Sequence, residues 1–213
     1  MGLMEELIRQ CRKPEGWFGR FVGRGMNVGH AGVRKWGLTH VTVSSDACIL
    51  DVGCGGGKAV KDLAHMAPAG KVCGLDYSEE MVGLARRVNR RLIAGTRVDI
   101  LHGTVSSLPF PDEMFDLVTA FEACYFWPNF VDDLIEIQRV LRSDGTLLIA
   151  NEAYVDPGFD KRNTYWASIG EMELHSPEEY RQLLAQAGYA GIKVNIISEK
   201  NWIAIVAKKR GDK

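Results

Sequence analysis

Two aspartates, 25 positions apart, are the residues whose type and spacing first indicate chemistry in this chain. Asp51 lies in a short apolar run, directly before the glycine-rich loop 53–57, and Asp76 ends the next apolar run. Glycines after a strand let the backbone approach a ligand closely, because they lack a Cβ atom. A carboxylate at the end of the second strand can accept hydrogen bonds from a ribose diol. The pattern therefore predicts a nucleoside-binding site.

The glycine loop departs from the GxGxxG dinucleotide fingerprint, because Lys58 stands where the third glycine is required. A carboxylate at position 51 would also repel the pyrophosphate that such loops hold. It suits instead a ligand that carries an ammonium and a sulfonium group. Capping of the next helix is the alternative role for Asp76, but Ser78 already supplies that cap.

The elements that must position these residues alternate between strand-like runs and helical periodicity. Predicted strands cover residues 49–52, 71–76, 97–101, 115–120 and 146–150, with two more near 192–197 and 202–207. Predicted helices follow residue 58, span 81–92 and 130–141, and begin after the capping box Ser176-Pro177-Glu178-Glu179. Such alternation predicts a parallel sheet covered on both faces, and the two closing strands predict an antiparallel hairpin.

Four motifs in this order resemble those of class I SAM-dependent methyltransferases, where SAM is S-adenosyl-L-methionine, and most closely their small-molecule branch. The motifs lie at 51–57, 74–78, 108–118 and 136–149, within a resemblance that covers residues 48–208. It implies a three-layer α/β Rossmann-like fold with seven mostly parallel strands, a helical cap over residues 1–45 and one SAM-binding domain over 46–213. It also implies in-line methyl transfer to a small-molecule acceptor, which depends mainly on how the reactants are positioned.

The resemblance implies roles for the cofactor residues. Asp51 would help place the methionine ammonium, Asp76 the ribose hydroxyls and Tyr77 the adenine face. Thr104 stands where these enzymes commonly carry an aspartate on the adenine amine, so that contact falls to Thr104, to the Val105 backbone or elsewhere. The expected cofactor residues are Asp51, Gly53, Cys54, Gly55, Gly57, Asp76, Tyr77, Thr104, Val105 and Phe121.

The methyl group of SAM faces segment 121–128 in enzymes of this kind. Here the segment is Phe-Glu-Ala-Cys-Tyr-Phe-Trp-Pro, which lacks the Asn/Asp-Pro-Pro-Tyr sequence used on nucleobase and glutamine amines. Its aromatic residues predict an apolar acceptor pocket, with burial in the core as the alternative. Expected pocket residues are Met26, Asn27, Tyr125, Trp127 and Tyr154, and the expected catalytic residues are His30, Glu122 and Tyr125. A structural histidine and a solvated glutamate are the alternatives for the first two.

The composition gives no reason to expect a nucleic-acid or membrane partner, because 26 basic and 27 acidic side chains nearly balance. No apolar run approaches the roughly 20 residues of a membrane span.

Five cysteines without a CxxC pair predict reduced thiols and a cytoplasmic protein. No Cys/His spacing fits a zinc site, so no metal is expected. We interpret the seven basic residues among positions 1–45 as a solvated face.

Two other functions stay open at this level. A SAM-binding partner or sensor without catalysis would keep the same cofactor site, so only turnover distinguishes it from an enzyme. An NAD-dependent oxidoreductase on the same architecture is disfavoured by Lys58 and Asp51. The acceptor, its methylated atom and the oligomeric state are not determined by these patterns.

Overall fold

The computed structural model describes residue 25 and residues 29–211, which build one seven-stranded sheet with helices on both faces. The strands are β1 (Cys48–Val52), β2 (Lys71–Asp76), β3 (Val98–His102), β4 (Phe115–Phe121), β5 (Leu141–Asn151), β6 (Ala190–Ile197) and β7 (Trp202–Lys208). Their order is β3-β2-β1-β4-β5-β7-β6. Only β7 runs against its neighbours, so the predicted mostly parallel sheet with an antiparallel C-terminal hairpin is confirmed.

Helices connect the strands and cover both faces of the sheet. They are α1 (Ala31–Leu38), α2 (Lys58–Met66), α3 (Glu79–Val88), α4 (Arg90–Ala94), α5 (Phe130–Val140), α6 (Asp160–Gly170) and α7 (Pro177–Gln186). The side chains of one strand alternate between two cores, since successive residues of a strand point to opposite faces. Ile49 belongs to the core beneath α2 and α3, whereas Leu50 belongs to the core beneath α5 and α7. Both are fully buried, which explains the near-continuous apolar run of β1.

The capping box predicted for the last helix is present at α7. The Ser176 hydroxyl accepts a hydrogen bond from the Glu179 amide at 3.2 Å, and the Glu179 carboxylate accepts one from the Ser176 amide at 2.7 Å. Pro177 occupies the first helical position, where its missing N–H costs nothing. This end of the sheet is thus fixed by local sequence.

Three predicted elements differ from the structure. Leu141 lies at the start of β5 and pairs with Phe115, because the chain leaves α5 in an extended conformation at that residue. The helix predicted over 81–92 is two helices, since Asn89 interrupts it and its side-chain amide donates to the Gly57 carbonyl. The region 152–175, for which no helix is predicted, contains α6.

The predicted cap over residues 1–45 lies largely outside the described residues, and so do its expected pocket residues Met26 and Asn27. Its described part includes α1, whose Val33 packs against Ala150 of β5 and Ala204 of β7.

Four cysteines within the described part of the chain are free thiols. None of the helices built from described residues has the length and apolar character needed to cross a membrane.

Candidate functional site

The glycine loop turns sharply after β1 and docks on the end of β2. The amides of Gly53 and Cys54 both donate to the Leu75 carbonyl, at 2.8 and 3.0 Å. Gly53, Gly55 and Gly57 have φ angles of 71°, 49° and 77°, in the left-handed region that glycine tolerates. The loop is therefore set by backbone conformation, and its amides are brought to the carboxyl ends of two parallel strands.

Asp76 joins the loop to the second strand. Its carboxylate accepts hydrogen bonds from the Gly55 amide at 2.8 Å and the Ser78 amide at 2.9 Å. Ser78 caps α3 through its own hydroxyl, which accepts from the Met81 amide. Burial raises the pKa of Asp76, and the two amide hydrogen bonds oppose that shift. Asp76 thus stands at the ligand edge of the sheet and is not needed as the helix cap.

Asp51, on the strand next to that of Asp76, is almost fully buried. One carboxylate oxygen accepts a hydrogen bond from the Thr119 hydroxyl at 2.7 Å, and the other has no partner within the described structure. Burial raises the pKa of this group to about 7, although the Thr119 hydrogen bond acts in the opposite direction. A buried carboxylate oxygen without a partner is costly unless a ligand donates to it.

A cavity of about 350 Å³ opens over these carboxylates and runs toward the ends of β4 and β5. Such a volume suits a small-molecule site. Nine of the ten expected cofactor residues line it, all except Gly57. Gly57 instead is the N-cap residue of α2, and a side chain there would collide with Ala85 at 2.7 Å, so its role is in helix packing.

The expected acceptor residues divide into two groups. Phe121, Glu122, Phe126 and Trp127 line the cavity, together with His30 of the segment before α1. Tyr125 and Tyr154 do not line it, which corrects their expected place in the pocket wall. Both side chains are buried, and their hydroxyls are bonded within the protein: Tyr125 donates to Glu122, and Tyr154 donates to Asp156 at 3.0 Å.

Glu122 is held rigidly at the end of the cavity. Its carboxylate accepts hydrogen bonds from the Tyr125 hydroxyl and from the Glu152 amide. Its φ angle of 57° is unusual for a residue with a side chain and marks local strain that the surroundings must hold. Burial raises the pKa of Glu122 to about 7, despite those hydrogen bonds. The solvated-glutamate alternative is therefore wrong, and Tyr125 stands behind Glu122 as its support.

Two further side chains meet Glu122 and form what we name the acceptor-end cluster: His30, Glu122 and Glu152. Ligating atoms of the three lie within 4.8 Å of one another. Burial lowers the pKa of His30, which favours the neutral imidazole, while the facing Glu152 opposes that shift. Burial raises the pKa of Glu152, and the Glu122 carboxylate adds to it. The cluster combines a neutral imidazole with two crowded carboxyl groups.

Two arginines flank the site without forming an ion pair to the cluster. Arg34 is 4% exposed and pairs with Asp62 at 3.2 Å, so the interpretation of its segment as a solvated face is wrong at this position. Arg162 of α6 is stacked between the rings of Phe159 and Trp166, at 4.5 and 4.6 Å.

Sequence reasoning missed Arg34 and Arg162, because nothing in their local patterns signals the cavity. Arg34 lies in a basic stretch of ordinary appearance. Glu152 follows β5, so its place at the ligand edge was predictable, but its convergence with His30 was not. Arg162 belongs to a helix that no periodicity announced.

The chain is similar in sequence to known methyltransferases. A family model described as "Methyltransferase domain" matches residues 50–149. Demethylmenaquinone methyltransferase from Lactiplantibacillus plantarum is 31% identical over 161 residues, which are 72% of this chain and 68% of that protein. O-methyltransferase cnsE from Penicillium expansum is 34% identical over 152 residues, and the chain spans only 55% of its length.

One solved structure illustrates the shared fold at low sequence identity. Geranyl diphosphate C-methyltransferase from Streptomyces coelicolor A3(2) superposes with a TM-score of 0.74 at 15% identity. The match covers 84% of this chain and 76% of that one. That structure contains Mg²⁺, geranyl-S-thiolodiphosphate and S-adenosyl-L-homocysteine.

Proposed function

Because this chain belongs to the family of class I SAM-dependent methyltransferases, we propose that its cavity holds SAM on Asp51 and Asp76 and seats a small acceptor against the acceptor-end cluster. The protein is an enzyme that transfers a methyl group from SAM to a small-molecule acceptor. The unpartnered buried oxygen of Asp51, on the same strand edge as Asp76, carries the proposed arrangement.

The cofactor end of the cavity offers the groups that SAM requires. The free oxygen of Asp51 would accept a hydrogen bond from the α-ammonium group, which removes the cost of leaving that oxygen unpaired. Asp76 keeps lone pairs for a ribose diol beyond its two amide hydrogen bonds. Tyr77, Thr104 and Val105 line the same end and would surround adenine. These residues support the cofactor roles expected from the sequence.

The acceptor end combines apolar walls with one polar wall. Phe121, Phe126 and Trp127 supply the apolar walls. His30 and Glu122 of the acceptor-end cluster supply the polar one, and Glu152 meets both of them. Such a site suits an acceptor with an apolar or aromatic body and a single polar nucleophilic atom. One relative is named a demethylmenaquinone methyltransferase, and a quinone-type acceptor agrees with this class.

Bound SAM supplies an electrophilic methyl group, and the chain's own task is to align a nucleophile with it. Alignment alone is worth about 7–11 kcal/mol in well-oriented reactions. His30 and Glu122 would contact the nucleophilic end of the acceptor. Tyr125 would act as a positioning residue, because it touches Glu122 and not the cavity.

Calorimetric titration of the variant Asp76→Ala with SAM tests the cofactor site. We expect binding about 100-fold weaker than in the unaltered protein, from the loss of charge-assisted hydrogen bonds to ribose. Asp99→Ala is the matched control, because Asp99 lies on the neighbouring strand, half exposed and paired with Lys71. SAM affinity that stays unchanged in Asp76→Ala while thermal unfolding is normal would refute the assignment.

A turnover screen with methyl-labelled SAM tests the enzyme. Small phenols, quinols, thiols and amines are the first acceptors to try. Calorimetric titration with NAD is the negative control for the cofactor. We expect label in a phenol or quinol product and no NAD binding. A protein that binds SAM but labels nothing would revive the sensor hypothesis for this chain.

The cysteines bear on the cellular setting. We infer a cytoplasmic location, supported by four free cysteines, of which Cys54, Cys73 and Cys124 are buried. Such thiols are typical of a reducing compartment. Near-neutral net charge supports a small molecule, and neither nucleic acid nor a membrane, as the partner.

A further inference from the structure

The acceptor-end cluster brings together three side chains that are common metal ligands. Within the part of the chain that the structure describes, it is the single group of three His, Cys, Asp or Glu residues this compact. Its members come from three distant segments: the residue before α1, the residue after β4 and the residue after β5. Their separation in sequence explains why no metal-binding pattern is visible there.

Two of the three ligating groups are not used by the described part of the chain. Neither the His30 imidazole nor the Glu152 carboxylate forms a hydrogen bond or an ion pair with any described residue. The third, Glu122, is oriented by the Tyr125 hydroxyl and the Glu152 amide, and each of its oxygens keeps a further lone pair. Hydrogen bonds of this kind are what orients a ligand around a metal.

The charge of the cluster also lacks a direct counter-ion. Arg34 is paired with Asp62. Arg162 donates to the amide oxygens of Asn163 and Asn201, at 2.9 and 2.6 Å, and is fixed there by its aromatic neighbours. The charge of Arg162 acts on both carboxylates, yet neither forms an ion pair with a cation among the described residues. Of the two carboxylates, Glu122 lines the cavity, beside His30.

We propose that the acceptor-end cluster binds one divalent transition-metal cation through His30, Glu122 and Glu152. One imidazole and two carboxylates form a mixed N/O donor set, which suits Mn²⁺, Fe²⁺, Co²⁺ or Zn²⁺ better than Ca²⁺. Three protein ligands leave coordination positions open toward the cavity, as in catalytic metal sites.

This inference rests on the proposed function, since the open positions would take the nucleophilic oxygen of the acceptor. A bound cation lowers the pKa of a coordinated hydroxyl group, so the acceptor would release its proton to water and bind as the oxyanion. His30 would then be a ligand and would not accept the proton itself. The preferred substrates are accordingly phenols, enols or quinols.

Titration of the metal-stripped full-length protein with Mn²⁺ tests the site, read as loss of the free-ion electron paramagnetic resonance signal. We expect one equivalent to bind with micromolar affinity. Glu152→Gln and His30→Ala should each weaken binding more than tenfold. Tyr125→Phe, which removes a hydrogen bond to Glu122, should weaken it about tenfold.

Glu173→Gln is the matched control, because Glu173 is exposed and faces another histidine, His175, at 4.0 Å. It should bind Mn²⁺ as the unaltered protein does. Mn²⁺ affinity unchanged in both Glu152→Gln and His30→Ala would overturn the site, as would equal weakening in the control.

Binding of S-adenosyl-L-homocysteine to the same samples separates this inference from the proposed function. Binding of S-adenosyl-L-homocysteine without binding of Mn²⁺ would overturn the cation site alone. Failure to bind the product would overturn the proposed function, and the role of the cation with it. Line broadening of the bound product by Mn²⁺ is the further result expected, because both ligands would share one cavity.

Discussion

The two ends of the cavity are built in different ways. The cofactor end comes from β1, β2 and the loop between them, so that Asp51 and Asp76 are brought together by adjacent parallel strands. The acceptor end is lined by His30 and Glu122, which meet Glu152. These three residues belong to segments far apart in the chain.

The difference also shows in how the side chains are held. At the cofactor end, backbone amides fix Asp76, and glycines with positive φ shape the loop. At the acceptor end, side chains fix one another, with Tyr125 behind Glu122 and Asn201 behind Arg162. A cofactor common to many enzymes can be held by backbone, whereas an acceptor site must vary with its substrate. We therefore expect changes at one end to leave the other largely intact.

The largest effect should follow from Gly57→Ala, which tests how tightly the cofactor loop is packed. A Cβ atom there would lie 2.7 Å from the Ala85 backbone, at a φ of 77°. We expect the free energy of unfolding, measured in urea, to fall by about 3 kcal/mol or more. Gly55→Ala is the control, because its φ is also positive but its Cβ would meet open space; it should lose only about 1.5 kcal/mol. Equal losses would contradict the packing argument.

Asn201→Ala tests the support of the acceptor end. The Asn201 amide oxygen accepts from Arg162, Asn163 and the Tyr154 backbone, and the residue is fully buried at a φ of 56°. Loss of these hydrogen bonds and of a residue suited to left-handed φ should lower the free energy of unfolding by about 3 kcal/mol. Asn201→Gly should lose about 1 kcal/mol less, because glycine relieves the backbone term. An equal or larger loss in Asn201→Gly would contradict the backbone argument, and a loss near zero in Asn201→Gly would show the hydrogen bonds to be incidental.

The affinity for SAM should depend on pH through Asp51. Burial raises the pKa of Asp51 to about 7 in the free protein, so this group is mainly protonated at pH 6 and mainly ionised at pH 7.5. Only the ionised form can pair with an ammonium group, so affinity should rise about fivefold between these values, once titration of the ligand's own amine is included. In Asp51→Asn the rise should vanish. A pH-independent affinity in the unaltered protein would show that Asp51 does not face the ammonium.

The smallest effect expected is that of Glu152→Gln on the cofactor. Glu152 belongs to the acceptor end, so the affinity of Glu152→Gln for S-adenosyl-L-homocysteine should stay within about twofold of that of the unaltered protein. Polar substitutions away from a binding site usually have effects of this size. Asp76→Ala gives the opposite result at the other end. A tenfold loss of S-adenosyl-L-homocysteine affinity in Glu152→Gln would show that the two ends of the cavity are coupled and are not independent parts.

Much of the cofactor end could be predicted because its signals are local. The glycines, the acids at the ends of the first two strands and the Ser78 cap each follow from a short stretch of sequence. The α7 capping box is local in the same sense and is present as predicted. The helix break at Asn89 was missed because it depends on a contact with Gly57, which lies 32 positions earlier.

The acceptor end could be predicted only in part. Segment 121–128 was identified by its position after a strand, yet which of its aromatic residues face the cavity depends on the turn of the chain after β4. Tyr125 was expected in the wall and lies behind it, because its hydroxyl turns to Glu122.

The sequence by itself determined the seven strands, most of the helices between them, the glycine loop and the two acids, because periodicity, caps and glycine conformation act over a few residues. The tertiary structure alone decided that Arg34 is buried, that α6 brings Arg162 toward the site and that His30 meets Glu122 and Glu152. These contacts join segments that are distant along the chain, and only the packing of helices on the sheet brings such segments together.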